Sequence, residues 1–226
     1  MSISMRKYEK TLGWIFLAMT PLGLPMLLTY LCQLLPVQPD GAQLNVLAFA
    51  VNFVLTLLIF HRFLWQNAKQ ALGRPFRTLL WMGIGFAAYN IGTYLVAMLT
   101  TLLVPDFANA NDASIMGMLQ EHFWPIAICV VILVPVTEET LYRGLVFGSL
   151  RKHSRWLAYV GSVCAFSTLH VVGYIGTMPQ LHLLVSFLQY LPGGIALALA
   201  YDKTDSIWAN ILIHSAINLL AILTMR

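Results

Sequence analysis

The stretch FWPIAICVVILVPVTEETLYRGLVFGSL, residues 123–150, carries only Glu138, Glu139 and Arg143 as charged side chains in an otherwise uncharged, largely apolar run. A helix of about 20 apolar residues is enough to cross the hydrocarbon core of a membrane. A charge at the bilayer centre costs about 3 kcal/mol on insertion scales, so the charged face of such a helix has to turn into protein. The run therefore predicts a membrane helix that is one member of a bundle.

The rest of the chain agrees. Of its 226 residues 59% are hydrophobic and 10% charged, where soluble domains carry about 25% charged residues. The fold class read from this is all-α, a polytopic membrane helix bundle of about seven transmembrane helices. The candidate spans are 12–35, 43–64, 79–104, 123–150, 156–174, 182–201 and 206–225. Gly13, Pro21 and Pro25 predict a kink in the first, and Pro192, Gly193 and Gly194 in the sixth. Membrane helices tolerate such breakers where neighbours re-satisfy the backbone. Thr11–Leu35 exceeds the about 7–15 residues of a signal-peptide core and no A-x-A follows, so it is read as a retained helix. Asn109–Gln120 reads as a polar outer loop or a short interfacial helix. Cys32, Cys129 and Cys164 sit apart in apolar segments, and no C-x-x-C occurs, so they read as packing residues. Trp65, Trp81, Trp124, Trp156 and Trp208 lie near span ends, as in an aromatic belt.

The positive charges set the orientation. Arg6, Lys7 and Lys10 precede the first span, and Arg62, Lys69, Arg74 and Arg77 cluster around the second loop. Arg143, Arg151, Lys152 and Arg155 accompany the end of the fourth, and Lys203 follows the sixth. With the N-terminus cytoplasmic, every Lys and Arg except Arg226 falls on the cytoplasmic half. The opposite loops hold Asp40, Asp106, Asp112 and Glu121. Topology thus accounts for the net charge of +4, and no nucleic-acid partner is expected.

Glu138, Glu139, Arg143, His170, His214 and Asn218 are the polar residues that need explaining. At 1.5 Å per helical residue, Glu138 lies ~20 Å from Arg151 and His170 ~22 Å from Arg155. His214 and Asn218 lie ~14 Å and ~20 Å from Asp205. Residues of three spans thus come to mid-depth. Glu139 and Arg143, four apart, can pair on one helix face. His214 and Asn218, also four apart, can face one pocket. Each has a plain structural reading: an ion pair, a hydrogen-bonded core histidine, polar glue between helices. Glu138 is harder to absorb, because Arg143 neutralises only one of two adjacent carboxylates.

Two imidazoles, a carboxylate and an amide offer a general base and donors to a developing oxyanion. That set suits amide hydrolysis by activated water. G-x-S-x-G and H-E-x-x-H are both absent. Glu138, His170 and His214 could also hold zinc as a dispersed His2Glu set.

These residues resemble the CAAX-protease and bacteriocin-processing family of intramembrane proteases (CPBP, or Abi). EETLYRG (138–144) is similar to its EExxxR motif, FSTLH (166–170) to its FxxxH motif and HSAIN (214–218) to its HxxxN motif. The likeness covers about residues 121–223. It implies one integral membrane domain over 1–226, with variable N-terminal spans over 1–120 and the catalytic core over 121–225. It implies that Glu138 and His170 activate water, that His214 and Asn218 form the oxyanion hole, and that Glu139 and Arg143 support the site. Both zinc-dependent and glutamate-dependent, metal-free mechanisms fit the family. No cofactor is favoured here, because Asn218 is a poor zinc ligand and a good oxyanion donor. A peptide or membrane-protein substrate, the lipid bilayer as partner and a prokaryotic cytoplasmic membrane as location are implied. Water must reach mid-membrane, and the basic loops suggest a cavity opening on their side. A proton-coupled transporter, which also buries Glu and His, and a non-catalytic bacteriocin-immunity protein are the alternatives.

Overall fold

The computed structural model describes residues 3–224, so Met225, the end of the last expected span, and Arg226 lie outside the described residues. Within them the chain is helical, with no strand. The helices are α1 (Lys7–Met19), α2 (Gly23–Cys32), α3 (Gly41–Leu72), α4 (Pro75–Leu103) and α5 (Ala110–Glu121). There follow α6 (Phe123–Leu150), α7 (Arg155–Val172), α8 (Gln180–Thr204) and α9 (Ile207–Thr224).

Local chemistry sets the boundaries. Asp40 caps α3, accepting from the Gln43 N–H at 2.8 Å while the Gln43 side chain accepts from the Asp40 N–H, a reciprocal capping box. Pro75 opens α4, where its missing N–H has no partner to lose. Ser154 caps α7. Asp205 ends α8 with φ 53°, a left-handed conformation that Asp tolerates, and its carboxylate pairs with Arg151 at 2.7 Å.

Five helices are long and apolar enough to cross a membrane, or six if the bent pair α1 and α2 is one span. The about seven expected spans also include the fifth candidate. That segment forms α7, whose Arg155, Ser162, Ser167, Thr168 and His170 make it less apolar than the others. The first candidate is broken rather than kinked: α1 and α2 meet at 66° across Thr20–Leu22, where Pro21 sits. Gly13 contributes close approach instead, since a Cβ there would stand 2.8 Å from the Phe60 ring. At Pro192, where a kink is expected, α8 stays helical without interruption. Gly193 and Gly194 let neighbours press in: added Cβ atoms would meet the Tyr89 ring at 2.5 Å and Val163 at 2.9 Å.

The outward faces carry exposed Leu57 and Leu58 on α3 and Ile91 and Leu102 on α4. Apolar surface on this scale belongs against lipid, and the chain is an integral membrane protein. Cys164 is exposed among them, unlike buried Cys32 and Cys129. The main core, with Phe60, Phe63, Leu145, Phe147 and Tyr201, lies toward the end of the bundle that carries the basic loops. A smaller core of Ala42, Leu119, Ile126, Val130 and Ile222 packs toward the opposite end.

Candidate active site

The site begins with the distortion of α6. Two π-helical stretches, Cys129–Leu133 and Thr140–Phe147, flank the α-helical Val134–Glu139. Pro135 explains the first. It lacks the N–H that the widened i→i+5 pattern would bring to the Val130 carbonyl. The Asn218 amide supplies the missing donor, Nδ2 to Val130 O at 2.8 Å. Asn218 therefore ties α9 to α6 and keeps a second amide N–H for other work.

Adjacent helical residues point about 100° apart, and the two carboxylates diverge accordingly. Glu139 is fully buried. Its Oε1 accepts from Arg143 Nη1 at 3.1 Å and His214 Nδ1 at 2.9 Å, and its Oε2 from Asn210 Nδ2 at 3.2 Å. Arg143 is also fully buried; it donates to Gly194 O at 3.3 Å and lies 4.2 Å from the centre of the Phe166 ring. One ion pair thus fastens α6 to α7, α8 and α9.

Glu138 turns the other way, into a cavity of about 900 Å3 that it lines together with His170, His214 and Asn218. Its Oε2 is buried without a hydrogen-bond partner among the described residues and lies 4.0 Å from His214 Nε2. That separation is too long for a direct hydrogen bond and short enough for both atoms to share one water. Because a carboxylate only accepts, the bond to Glu139 puts a proton on His214 Nδ1 and leaves Nε2 facing Glu138.

His170 is fixed by the same logic. Its Nδ1 donates to Phe166 O at 2.9 Å, so in the neutral ring Nε2 is an acceptor. The ring packs on Phe166 at 4.6 Å and stacks on Tyr190 at 4.1 Å. Among the described residues, no three His, Cys, Asp or Glu side chains gather to hold a metal. Glu138, His170 and His214 share the cavity wall without forming a zinc-ligand cluster.

The cavity departs from expectation in direction. Asn45, Asn109, Asp112, Tyr174 and Thr224 line it, all from the end away from the basic loops. Dense packing of Phe60, Phe63 and Phe147 fills the basic end. Sequence reasoning also missed Asn210, although it sits four residues before His214 on the same helix face. It missed Tyr190, whose hydroxyl lies 3.2 Å from both Asn109 Oδ1 and Asp112 Oδ1 and so joins α5 to the wall beside His170. Asn109 Nδ2 adds a bond to Gln189 Oε1 at 2.9 Å.

Comparison with known proteins gives this geometry a context. Residues 120–220 match the family described as type II CAAX prenyl endopeptidase Rce1-like. The UPF0177 protein YbdI of Lactococcus lactis subsp. lactis (strain IL1403) is 22% identical over 185 residues, 79% of this chain and 92% of that protein. The UPF0177 protein YbdJ of the same strain is 31% identical over 98 residues, 43% of this chain and 38% of that protein. No solved structure matches. The match bears out the resemblance carried by EETLYRG, FSTLH and HSAIN: residues 120–220, which supply Glu138, His170, His214 and Asn218 to the cavity wall, are similar to the Rce1-like family of type II CAAX prenyl endopeptidases.

Proposed function

We propose that this chain is an intramembrane endopeptidase in which Glu138 is the general base for water attack on a peptide carbonyl. The observation that carries the reading is the unpartnered Glu138 carboxylate, 4.0 Å from His214 Nε2, in a cavity that also receives His170 and Asn218. Water gives a proton to Glu138 as its oxygen bonds to the carbonyl carbon. Glu138 returns that proton to the departing amide nitrogen as the C–N bond breaks. His170 Nε2, an acceptor, orients the water.

The oxyanion is stabilised by His214 Nε2–H and the second amide N–H of Asn218. Donation from both nitrogens of His214 requires the imidazolium, which Glu139 stabilises from Nδ1. Glu139 and Arg143 are positioning residues, since they act through His214.

The reaction as proposed uses no metal. Each imidazole donates its Nδ1–H to a fixed acceptor, Glu139 or the Phe166 carbonyl, which fixes where each Nε2 points in the cavity. Full activity of purified, zinc-free protein in the presence of a chelator supports this; loss of activity that zinc restores contradicts it. The substrate we infer is a peptide or a segment of a membrane protein. Residues 1–120 we read as variable spans and 121–225 as the catalytic core of one membrane domain. The lactococcal relatives favour the cytoplasmic membrane of a prokaryote. The test is a comparison of peptides from membranes holding the wild type or Glu138→Gln. A product that disappears in the variant supports the protease; an unchanged peptide profile with altered solute uptake favours the transporter.

A further inference from the structure

A second cavity, of about 200 Å3, lies at the far end of α6 from the candidate active site. Lys10 of α1, Arg151 and Lys152 after α6, and Tyr201 of α8 line it, and Gly144 and Gly148 leave the α6 wall without side chains. A Cβ on Gly148 would stand 3.7 Å from the Tyr201 hydroxyl, so this glycine keeps the space beside that group open. Arg151 is neutralised by Asp205 at 2.7 Å and Asp202 at 3.7 Å. Neither lysine pairs with a carboxylate among the described residues, and both line this one cavity.

Two ammonium groups lining one small cavity repel, and each hangs on a flexible stem that could carry it away into water. Their convergence in one cavity is the arrangement that an anion between them would stabilise. The Tyr201 hydroxyl, with no acceptor among the described residues, offers a further donor on the same wall.

We propose that this cavity binds a phosphate-bearing anion between Lys10 and Lys152, with Tyr201 as a third donor. The surrounding end of the bundle carries Arg6, Lys7, Arg62, Lys69, Arg74 and Arg77, as expected of a face against anionic lipid. The phosphate could belong to a lipid headgroup or be free, and both sources present the same chemistry to the lysines.

The test uses the purified full-length protein in an uncharged detergent, with the unfolding midpoint followed as ligand is titrated. The probes are short-chain phosphatidylglycerol, phosphatidylcholine of equal chain length, and inorganic phosphate. Variants are Lys10→Gln/Lys152→Gln and, as a control of equal charge loss outside the cavity, Arg6→Gln/Lys7→Gln. The proposal expects phosphatidylglycerol to raise the midpoint more than phosphatidylcholine does. Its apparent affinity should fall about tenfold or more in the cavity variant and hold in the control. The same pattern with inorganic phosphate, and no added effect of phosphatidylglycerol, supports the site and assigns it to the free anion. Equal losses in both variants, or no ligand-dependent shift in the wild type, overturn the proposal.

Discussion

His214 and Glu139 are joined by a 2.9 Å bond from Nδ1 to Oε1, and that bond orients the opposite face of the imidazole toward Glu138. The adjacent acids of α6 therefore have different positions in one arrangement. Glu139 is consumed by Arg143, Asn210 and His214, whereas Glu138 keeps a free carboxylate at the cavity.

Removing the charge of Glu139 should be costly to the fold. Glu139→Gln leaves the fully buried guanidinium of Arg143 without its counter-ion, and breaking such a pair typically destabilises by about 3–5 kcal/mol. Replacing both partners, Glu139→Met with Arg143→Met, should cost less than Glu139→Gln alone. Unfolding in detergent, followed by fluorescence, checks the order. A double variant less stable than the single one contradicts the pairing account.

Asn218 has two separable jobs in this account. Asn218→Ala should cost about 1–3 kcal/mol, the usual price of leaving a buried carbonyl unpartnered, here that of Val130. Adding Pro135→Ala restores an N–H that can reach that carbonyl, so stability should recover in the double variant. Cleavage should not recover, because the oxyanion donor is still missing. Paired unfolding and activity measurements distinguish the two.

Asp40 supplies a pH dependence outside the spans. The Gln43 backbone N–H, and then His122 at 2.9 Å, hold its carboxyl below the ordinary carboxylate value. A depressed pKa stabilises the fold above the unfolded-state value, about 3.9. That stabilisation is lost as pH falls through the folded-state value. Wild type should therefore exceed Asp40→Asn in unfolding midpoint at pH 6, with the gap closing as pH drops below about 4. A gap independent of pH contradicts the assignment.

Tyr190 links α5 to His170. Tyr190→Phe removes the hydroxyl contacts with Asn109 and Asp112 and keeps the ring on the imidazole. Hydrogen exchange in α5 should rise while kcat stays within a few-fold of wild type. Tyr190→Ala also removes the stack and should lower kcat about tenfold, the effect of a small misplacement of a reacting group. Equal kcat in the two variants would show that the ring does not position His170.

Much of this was legible in the residues. Hydropathy and the three intramembrane charges gave a helical membrane bundle. The i,i+4 spacing anticipated the Glu139–Arg143 pair at 3.1 Å. What periodicity could not convey was set by tertiary packing. At Pro192-Gly193-Gly194 the sequence signals a kink but not the close contacts with α4 and α7 that the two glycines admit while α8 stays helical. The widened turns of α6 have no hydropathy signature, so the bond from Asn218 to Val130 was hidden. Asp112 lies in a polar segment that carried no readable chemistry until α5 was seen against Tyr190.

The most direct measurement is the cleavage rate of Glu138→Gln beside that of the wild type, with both shown to be folded by their unfolding midpoints. The substrate is a peptide identified from the membrane comparison. Loss of a general base predicts a fall of roughly 10²–10⁴ in kcat with the midpoint unchanged or raised, since an unpaired carboxylate becomes a neutral amide. A folded Glu138→Gln variant that cleaves within a few-fold of the wild-type rate would contradict the assignment of Glu138 as the base.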